Sequence, residues 1–473
     1  MGSPVEDLGA HEVTMLWGGR FERGPHPEMV AFTRSVDVDL RLLPYDIAAT
    51  KAHARVLVAA GLLEDSDLPA LDAALDDISS AWGSGTLEPA PEDEDVHSLV
   101  ERLLTERLGD LGRRIHAGRS RNDLVATDLR LWCRDAAAEM VDALTELVGF
   151  LCDFAEGQLE TVMPGFTHLQ RAQPVSMGFH IVAHACALVR DIDRFKAAFA
   201  SSDVSPLGAG ALAGNTLGLD PTVAATELNF GATFVNATDA VADRDFAADL
   251  LYACATTMTH LSRVAEEVVL WTSSEFGFAR IADDWSTGSS MMPQKRNPDV
   301  AELIRGRAPG VVADLGALLG ILKGLPLAYD RDLQEDKEVV FHGFDTTIGC
   351  VRATRGLLGA LRFDKDALTE AARGGGGWAT DLAERLVTRG VPFREAHETI
   401  GGIVASLERS AVSIADADLA GADPRLKPDD AVDVADPRTL VARRASHGGP
   451  APSEVERQIR TLRSAIARLP RTD

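Results

Sequence analysis

Apolar residues stepping alternately by three and four dominate the middle of this sequence. Met140, Leu144, Leu147, Leu151 and Phe154 form one such series, and Phe179, Val182, Cys186 and Val189 another. Leu251, Cys254, Met258, Leu261, Ala265 and Val268 form a third, and Val311, Leu315, Leu318 and Leu322 a fourth. This alternation gathers the apolar side chains of a helix into one stripe, the seam of long helices packed nearly in parallel. Residues 335–361 read as a fifth helical stretch. Five long helices predict an all-α fold centred on a helical bundle. Val141, Val148 and Ala155 add apolar positions on a second face, which predicts burial against other subunits.

Composition supports helices. Aromatic residues make up 5% of the 473-residue chain, and alanine and leucine are abundant. That length allows two to four domains. We expect three: an N-terminal helical domain over residues 1–112, the long-helix bundle over 113–362, and a small helical C-terminal domain over 363–473. Residues up to about 14 read as an acidic extension, with Met15 as an alternative start. Four consecutive glycines, Gly374, Gly375, Gly376 and Gly377, read as a flexible break before the last domain. Residues 453–469 read as an amphipathic helix opened by a capping box of Ser453 and Glu456.

The formal net charge of −25 argues against nucleic acid and anionic membranes as partners. An acidic substrate would need a locally basic pocket. The five cysteines are scattered, without a CxxC pair, as expected of reduced thiols in a cytoplasmic protein. The N-terminus lacks the apolar core of a secretory signal. The best apolar run, residues 311–322, is too short to span a membrane and contains Asp314.

One segment is polar where the helical stretches are not. In residues 288–299, Gly288 is followed by Ser289, Ser290, Met291, Met292, Pro293, Gln294, Lys295, Arg296, Asn297, Pro298 and Asp299. Glycine lets a ligand approach backbone amides closely, and the two prolines restrict the polar groups between them. Residues 300–307 read as helical, so Pro298 falls near a helix start. Unpaired amides and a partial positive charge there suit a carboxylate. The segment reads as a mobile anion-binding loop, against the plainer alternative of a polar connection.

Other polar clusters adjoin predicted helices. Gly118, Arg119, Ser120, Arg121, Asn122 and Asp123 could form an arginine fork for carboxylates or an ordinary capped helix start. Thr167, His168 and Gln170 crowd one turn before the second long helix. Tyr329, Gln334 and Lys337 precede the fifth. The acidic run before His97 reads most simply as a helix cap. His180 and His184 have the spacing of metal ligands, but no third ligand is evident, so core or interface histidines are favoured and no metal is expected. Residues 208–214 are glycine-rich, but their spacing and lack of a preceding strand exclude a dinucleotide loop.

Residues 288–298 are similar to the GSSxMPxKxNP stretch of the fumarase/aspartase superfamily. With residues 17–21, 93–97, 118–123, 167–174 and 330–337, they resemble the argininosuccinate lyase family from about residue 16 to the C-terminus. Residues 448–452 depart from the family pattern, with proline where threonine is expected. The resemblance implies three all-α domains, a homotetramer, and active sites assembled from loops of three subunits. It implies reversible cleavage of argininosuccinate to arginine and fumarate, the last step of arginine biosynthesis, with no cofactor and no metal.

Such an elimination needs a base for the carbon acid, an acid for the leaving nitrogen, and cations or amides for the charge that builds on a carboxylate. The resemblance assigns Ser289 as the base and His168 as the acid, with Glu302 orienting His168 and His97 nearby. It makes Ser35 a substrate-binding serine and Asp39 a partner for the arginine moiety, and places Asn122 and Thr167 on carboxylates. Arg121, Lys295 and Asn297 fit the fumarate end, and Tyr329, Gln334 and Lys337 the arginine half. Arg121, Lys295 and Lys337 would supply the basic pocket. Alternatives are another lyase of the superfamily, such as adenylosuccinate lyase, aspartase or fumarase, or a lens-crystallin role without activity. The presence of Ser289, His168 and Glu302 argues against the last.

Overall fold

The computed structural model describes residues 25–467. The expectations for the acidic extension, Met15, residues 17–21 and the last two positions of the final helix lie outside them. Eleven helices and four strands position everything discussed below: α1 (Leu43–Ala59), α2 (Val96–Leu108), α3 (Arg121–Glu156), β1 (Val162–Thr167), β2 (Gln170–Ser176), α4 (Met177–Ser202), α5 (Asp245–Thr272), β3 (Thr287–Gly288), β4 (Arg296–Asn297), α6 (Asp299–Leu322), α7 (Asp336–Gly359), α8 (Lys365–Arg373), α9 (Ala379–Thr388), α10 (Phe393–Ser410) and α11 (Pro452–Ala467).

The all-α expectation holds. The five long stretches are α3 to α7, and the strands pair only in twos. The seams are partly as read. Met140, Leu144, Leu147 and Leu151 are buried on α3, and all six seam residues of α5 are buried. On α4 the buried stripe is Ile181, Ala185, Leu188, Ile192 and Phe195 instead, with the same alternating step, while Phe179, Cys186 and Val189 are only partly covered. Both stripes are apolar, so periodicity alone could not choose between them. The stretches read at 300–307 and 311–322 belong to one helix, since α6 runs unbroken through Pro309. Proline removes one backbone donor, and here it stands on an exposed face.

The chain forms two compact units. The first holds the described residues up to Ala138 with Phe195–Ala253 and Val312–Phe344; the second holds Glu139–Arg194, Cys254–Val311 and the described residues from Asp345. Each of the five long helices is divided between them. In the first unit, Trp132 of α3 packs edge-on against Phe341 and Phe344 of α7, with centroids 4.6 and 5.5 Å apart. In the second, Phe363 lies 5.9 Å from both Phe154 of α3 and Trp271 of α5.

Local sequence explains several element ends. Asp95 caps α2 and accepts the Ser98 amide, while the Asp95 amide donates to Ser98 Oγ. The acidic run is therefore the cap that its plain reading suggested. The final helix starts at Pro452, one residue before the expected Ser453 cap. Proline suits the first helical position because its missing N–H would be unpaired there anyway. The four glycines after α8 are not a free break. A Cβ at Gly377 would lie 2.7 Å from the Ala172 carbonyl oxygen, and one at Gly374 2.6 Å from the Arg171 guanidinium. The glycines let this turn press against β2. Among the described residues, no helix is long and apolar enough to cross a membrane.

Gly356 of α7 lies under the Trp285 indole, which would overlap any added Cβ. Glycine to alanine in a helix interior ordinarily gains about 1 kcal/mol. Overpacking against a rigid ring costs about 1–3 kcal/mol. Gly356→Ala should therefore lower the apparent Tm in a thermal melt, despite the better helix former. A rise would show that the indole moves aside freely.

Candidate functional site

Eight of the fourteen expected site residues line one small cavity of the first unit: Ser35, Asp39, His97, Arg121, Asn122, Tyr329, Gln334 and Lys337. Its volume is about 110 Å³. The N-terminal ends of α2, α3 and α7 supply His97, Arg121, Asn122 and Lys337. Larger open grooves, one of about 780 Å³ beside α10, contain none of the expected residues.

The charges around the cavity are tied together. Arg121 donates to Glu94 Oε2 at 2.9 Å and Asp95 Oδ2 at 3.1 Å. Arg331 reaches the other oxygen of Glu94 at 2.7 Å. Ser35 donates to Asp39 Oδ2 at 2.5 Å. Lys337, fully enclosed, donates to Asp336 Oδ1 at 2.9 Å, and Arg244 grips Oδ2 at 2.6 Å. Asn122 is partly committed, since its amide donates to the Ala211 carbonyl at 3.0 Å. The glycine-rich stretch around Gly208 and Gly210 has its own purpose: both amides donate to the buried Asp123 carboxylate, at 3.0 and 2.8 Å.

Burial and charge set the protonation states. Burial would lower the Lys337 ammonium, but Asp336 and then Asp39 outweigh it and hold the pKa above the usual range. Asp39 is raised by burial, against the pull of Lys337 and Ser35. Burial also opposes a charged His97. The Asp46 carboxylate, 2.5 Å from Nδ1, with Asp95 and Asp39 beyond, nevertheless raises its pKa. Behind His97, Asp128 Oδ2 lies at 3.6 Å. Burial first, then the charge of Asp46, raise Asp128 well above an ordinary carboxylate. The cavity thus combines cationic donors, carboxylate acceptors and neutral polar groups, suited to a small ligand bearing both a carboxylate and an amine.

The other six expected residues lie in the second unit. β1 and β2 form a hairpin with His168 and Leu169 at its tip, after Thr167. Both tip residues are left-handed, with φ of 55° and 57°. A two-residue hairpin turn demands that geometry and normally takes Asn-Gly. His168 is therefore held exposed in a backbone conformation that histidine seldom adopts.

Ser289 and Lys295 lie on the loop between β3 and β4, which pair Thr287 with Asn297 and Gly288 with Arg296. Ser289 Oγ accepts the Met292 amide at 3.0 Å and the Met291 amide at 3.3 Å. Two N–H donors aimed at one hydroxyl oxygen favour its ionised form. Asn297 donates to Thr287 Oγ1 at 3.4 Å, and Thr287 in turn donates to Asp299 at 2.5 Å. Glu302 is exposed in the first turn of α6, and its amide donates to the Pro298 carbonyl at 3.1 Å. No hydrogen bond joins Glu302 to His168 among the described residues. His97 lies in the first unit's cavity and His168 on the second unit's hairpin.

Residues 19–313 match the Lyase family, and residues 378–442 match the argininosuccinate lyase C-terminal family. The chain is 50% identical over 460 residues to the argininosuccinate lyase of Acidothermus cellulolyticus, covering 96% of this chain and 94% of that one. It is 46% identical over 465 residues to that of Thermobifida fusca, covering 97% and 98%. The chain belongs to the argininosuccinate lyase family. Among solved structures, EDDS lyase in complex with formate superposes with a TM-score of 0.81 at 26% identity, covering 93% of this chain and 89% of that one. A class II fumarase from Schistosoma mansoni superposes at 0.74 with 16% identity, covering 88% and 94%, and shares the fold.

Several residues at the first unit's cavity escaped the sequence reading. Arg331 and Asp95 line it, and Glu94 bridges Arg121 to Arg331. Asp46 and Asp128 support His97 from behind. Their signal was a lone carboxylate in an apolar helical stretch, as in Ala126-Thr127-Asp128-Leu129.

A raised folded pKa means that Asp128 binds a proton more tightly folded than unfolded. Its contribution to stability is then fully present below the unfolded carboxylate pKa and is lost as pH rises through the folded value. Asp128→Asn stays neutral throughout. In urea unfolding, the stability of the variant relative to the parent should increase as pH rises from 4 to 8. A constant or declining difference would show that Asp128 is charged and stabilised in the folded protein.

Proposed function

We propose that this protein is an argininosuccinate lyase, eliminating fumarate from argininosuccinate to release arginine, and running the reverse addition. The family match supports the reaction. The observation that carries the mechanism is the pair of amides on Ser289 Oγ. A serine hydroxyl is a poor base, and donors fixed at its oxygen reduce the cost of ionisation before substrate binds.

In this reading Ser289 removes the proton from the carbon beside a carboxylate. Lys295 and Asn297 hold that carboxylate as negative charge builds, and Thr167 and Asn122 hold the other. His168 donates a proton to the departing guanidinium nitrogen, with Glu302 as its orienting carboxylate. The C–N bond breaks, the electron pair of the C–H bond becomes the new C=C bond, and arginine leaves. The step is redox-neutral, and the reading includes no cofactor. Loop closure over the substrate excludes water from Ser289.

The cavity of the first unit takes the arginine half. Lys337 meets its carboxylate and Asp39 its amine, with Ser35, Tyr329 and Gln334 around them, while Arg121 with Asn122 faces the fumarate end. A volume of about 110 Å³ is well below the roughly 300 Å³ of ordinary small-molecule sites, so the cavity suits one end of a ligand rather than the whole. We therefore infer a homotetramer in which loops from different subunits complete each site. In support, Val312 and Leu319 are half exposed on one face of α6, beside Gly316 and Gly320, where an added Cβ would touch nothing. Small and apolar residues there would allow close helix contact. We assign residues 1–112, 113–362 and 363–473 as the three domains, and a cytoplasmic biosynthetic role to the whole.

Three measurements test this. Absorbance should report fumarate from argininosuccinate, and none at comparable rate from adenylosuccinate, aspartate or malate. Product from one of these and none from argininosuccinate would reassign the substrate. Ser289→Ala should remain a tetramer by light scattering while turnover falls by about 10²–10⁴. Near-normal turnover would remove Ser289 as the base. Mixing inactive Ser289→Ala and His168→Gln subunits after partial unfolding should recover activity. No recovery, with mixed tetramers verified by native mass spectrometry, would place both residues in the same subunit's site.

A further inference from the structure

His180 and His184 lie one turn apart on the same face of α4. Nε2 of each reaches the same atom, Glu267 Oε2 on α5, at 2.6 and 2.7 Å. The third partner that the sequence did not reveal is therefore Glu267. All three ligand atoms lie within 4.8 Å of one another. The histidine rings are 5.4 Å apart, and Trp271 packs edge-on against His180 at 5.6 Å. The side chains are 27%, 18% and 31% exposed, so the cluster is sheltered yet reachable from solvent.

The surrounding frame is fixed. Seven residues further along α4, Asp191 Oδ2 meets His260 Nδ1 at 2.7 Å, and His260 is seven residues before Glu267 on α5. The helices therefore run antiparallel and are tied at two levels, two turns apart. Asp191 is fully buried and also accepts from Arg194 at 2.9 Å. The lower pair cannot easily swing away, and it holds the upper three groups in register.

Two imidazole nitrogens and one carboxylate oxygen form a donor set for first-row divalent ions. Tetrahedral coordination at about 2.0–2.1 Å separates donor atoms by roughly 3.3 Å. An outward shift of less than about 1 Å would admit an ion between Glu267 and each histidine. A water would supply the fourth ligand from the exposed side. We propose that His180, His184 and Glu267 bind a divalent transition ion of the zinc class, clamping α4 to α5. None of the three belongs to the elimination machinery, so this site stands or falls independently of the proposed reaction.

The test uses the full-length, tag-free tetramer stripped of metal and titrated with Zn²⁺ or Co²⁺. One ion should bind per chain with micromolar or tighter affinity. Bound Co²⁺ should show the intense visible absorption of a low-coordinate site, and Zn²⁺ should raise the Tm. The double variant H180Q/H184Q, and separately Glu267→Gln, should weaken binding at least tenfold. His342→Gln, which removes a histidine elsewhere, should not. Failure of the parent protein to bind one ion per chain would overturn the proposal without reference to any variant. Unchanged affinity in Glu267→Gln or in a folded H180Q/H184Q would overturn it equally.

Discussion

The cavity of the first unit depends on one carboxylate that never sees solvent. Asp336 holds Arg244 with one oxygen and Lys337 with the other, and all three side chains are essentially enclosed. Two cations on one anion would leave a buried positive charge, which is costly in a medium of low polarity. Asp39, largely buried, lies close enough to Lys337 for each to shift the other. The four groups balance in charge, but Asp39 and Lys337 also line the cavity. The stabilising network and the cavity wall thus share Asp39 and Lys337. Removing either end would leave an unmatched buried charge, a larger penalty than the loss of one hydrogen bond.

The same economy of placement recurs around His97. A buried imidazole would ordinarily stay neutral. Asp46 at 2.5 Å and the nearby Asp95 and Asp39 reverse that preference. Asp128, behind them, is pushed the other way and keeps its proton more readily. A carboxyl that keeps its proton more readily limits the net charge packed beside the cavity. Asp46 and Asp128 lie within α1 and α3, so long helices fix them as firmly as core residues.

The fold was legible because helix periodicity is local. The α5 seam from Leu251 to Val268 could be read residue by residue, since every member is buried. The α4 seam could not, because Phe179 and Ile181 belong to two apolar stripes and only tertiary packing decides which is covered. Cavity residues beside clustered charge were also legible: Arg121 and Lys337. Those that act through distant partners were not. Asp46 and Asp128 stand 82 positions apart in sequence and meet only around His97, as the ion-pair distances of 2.5 and 3.6 Å show. Glu267 is 83 positions from His184 and gave no signal at all.

Ser289 shows why the loop between β3 and β4 has its particular composition. For two consecutive amides to point at one Oγ, the chain must turn sharply immediately after the serine. Met291 and Met292 provide those amides, and Lys295 closes the turn by donating its own amide to the Met292 carbonyl at 3.1 Å. The turn is anchored at its base by the short β3–β4 pairing and by Thr287 on Asp299. Asp299 opens α6, so the loop is fastened to a helix start rather than to the bundle core. Such an attachment fixes the base of the loop while its tip stays exposed, with Met291 87% accessible. A polarised serine on an anchored but uncovered tip can meet a substrate first and be shielded from water afterwards. On the proposed assignment of Ser289 as the base, that order matters, because bulk water would compete for any charge formed on its oxygen before the carbon proton was in reach.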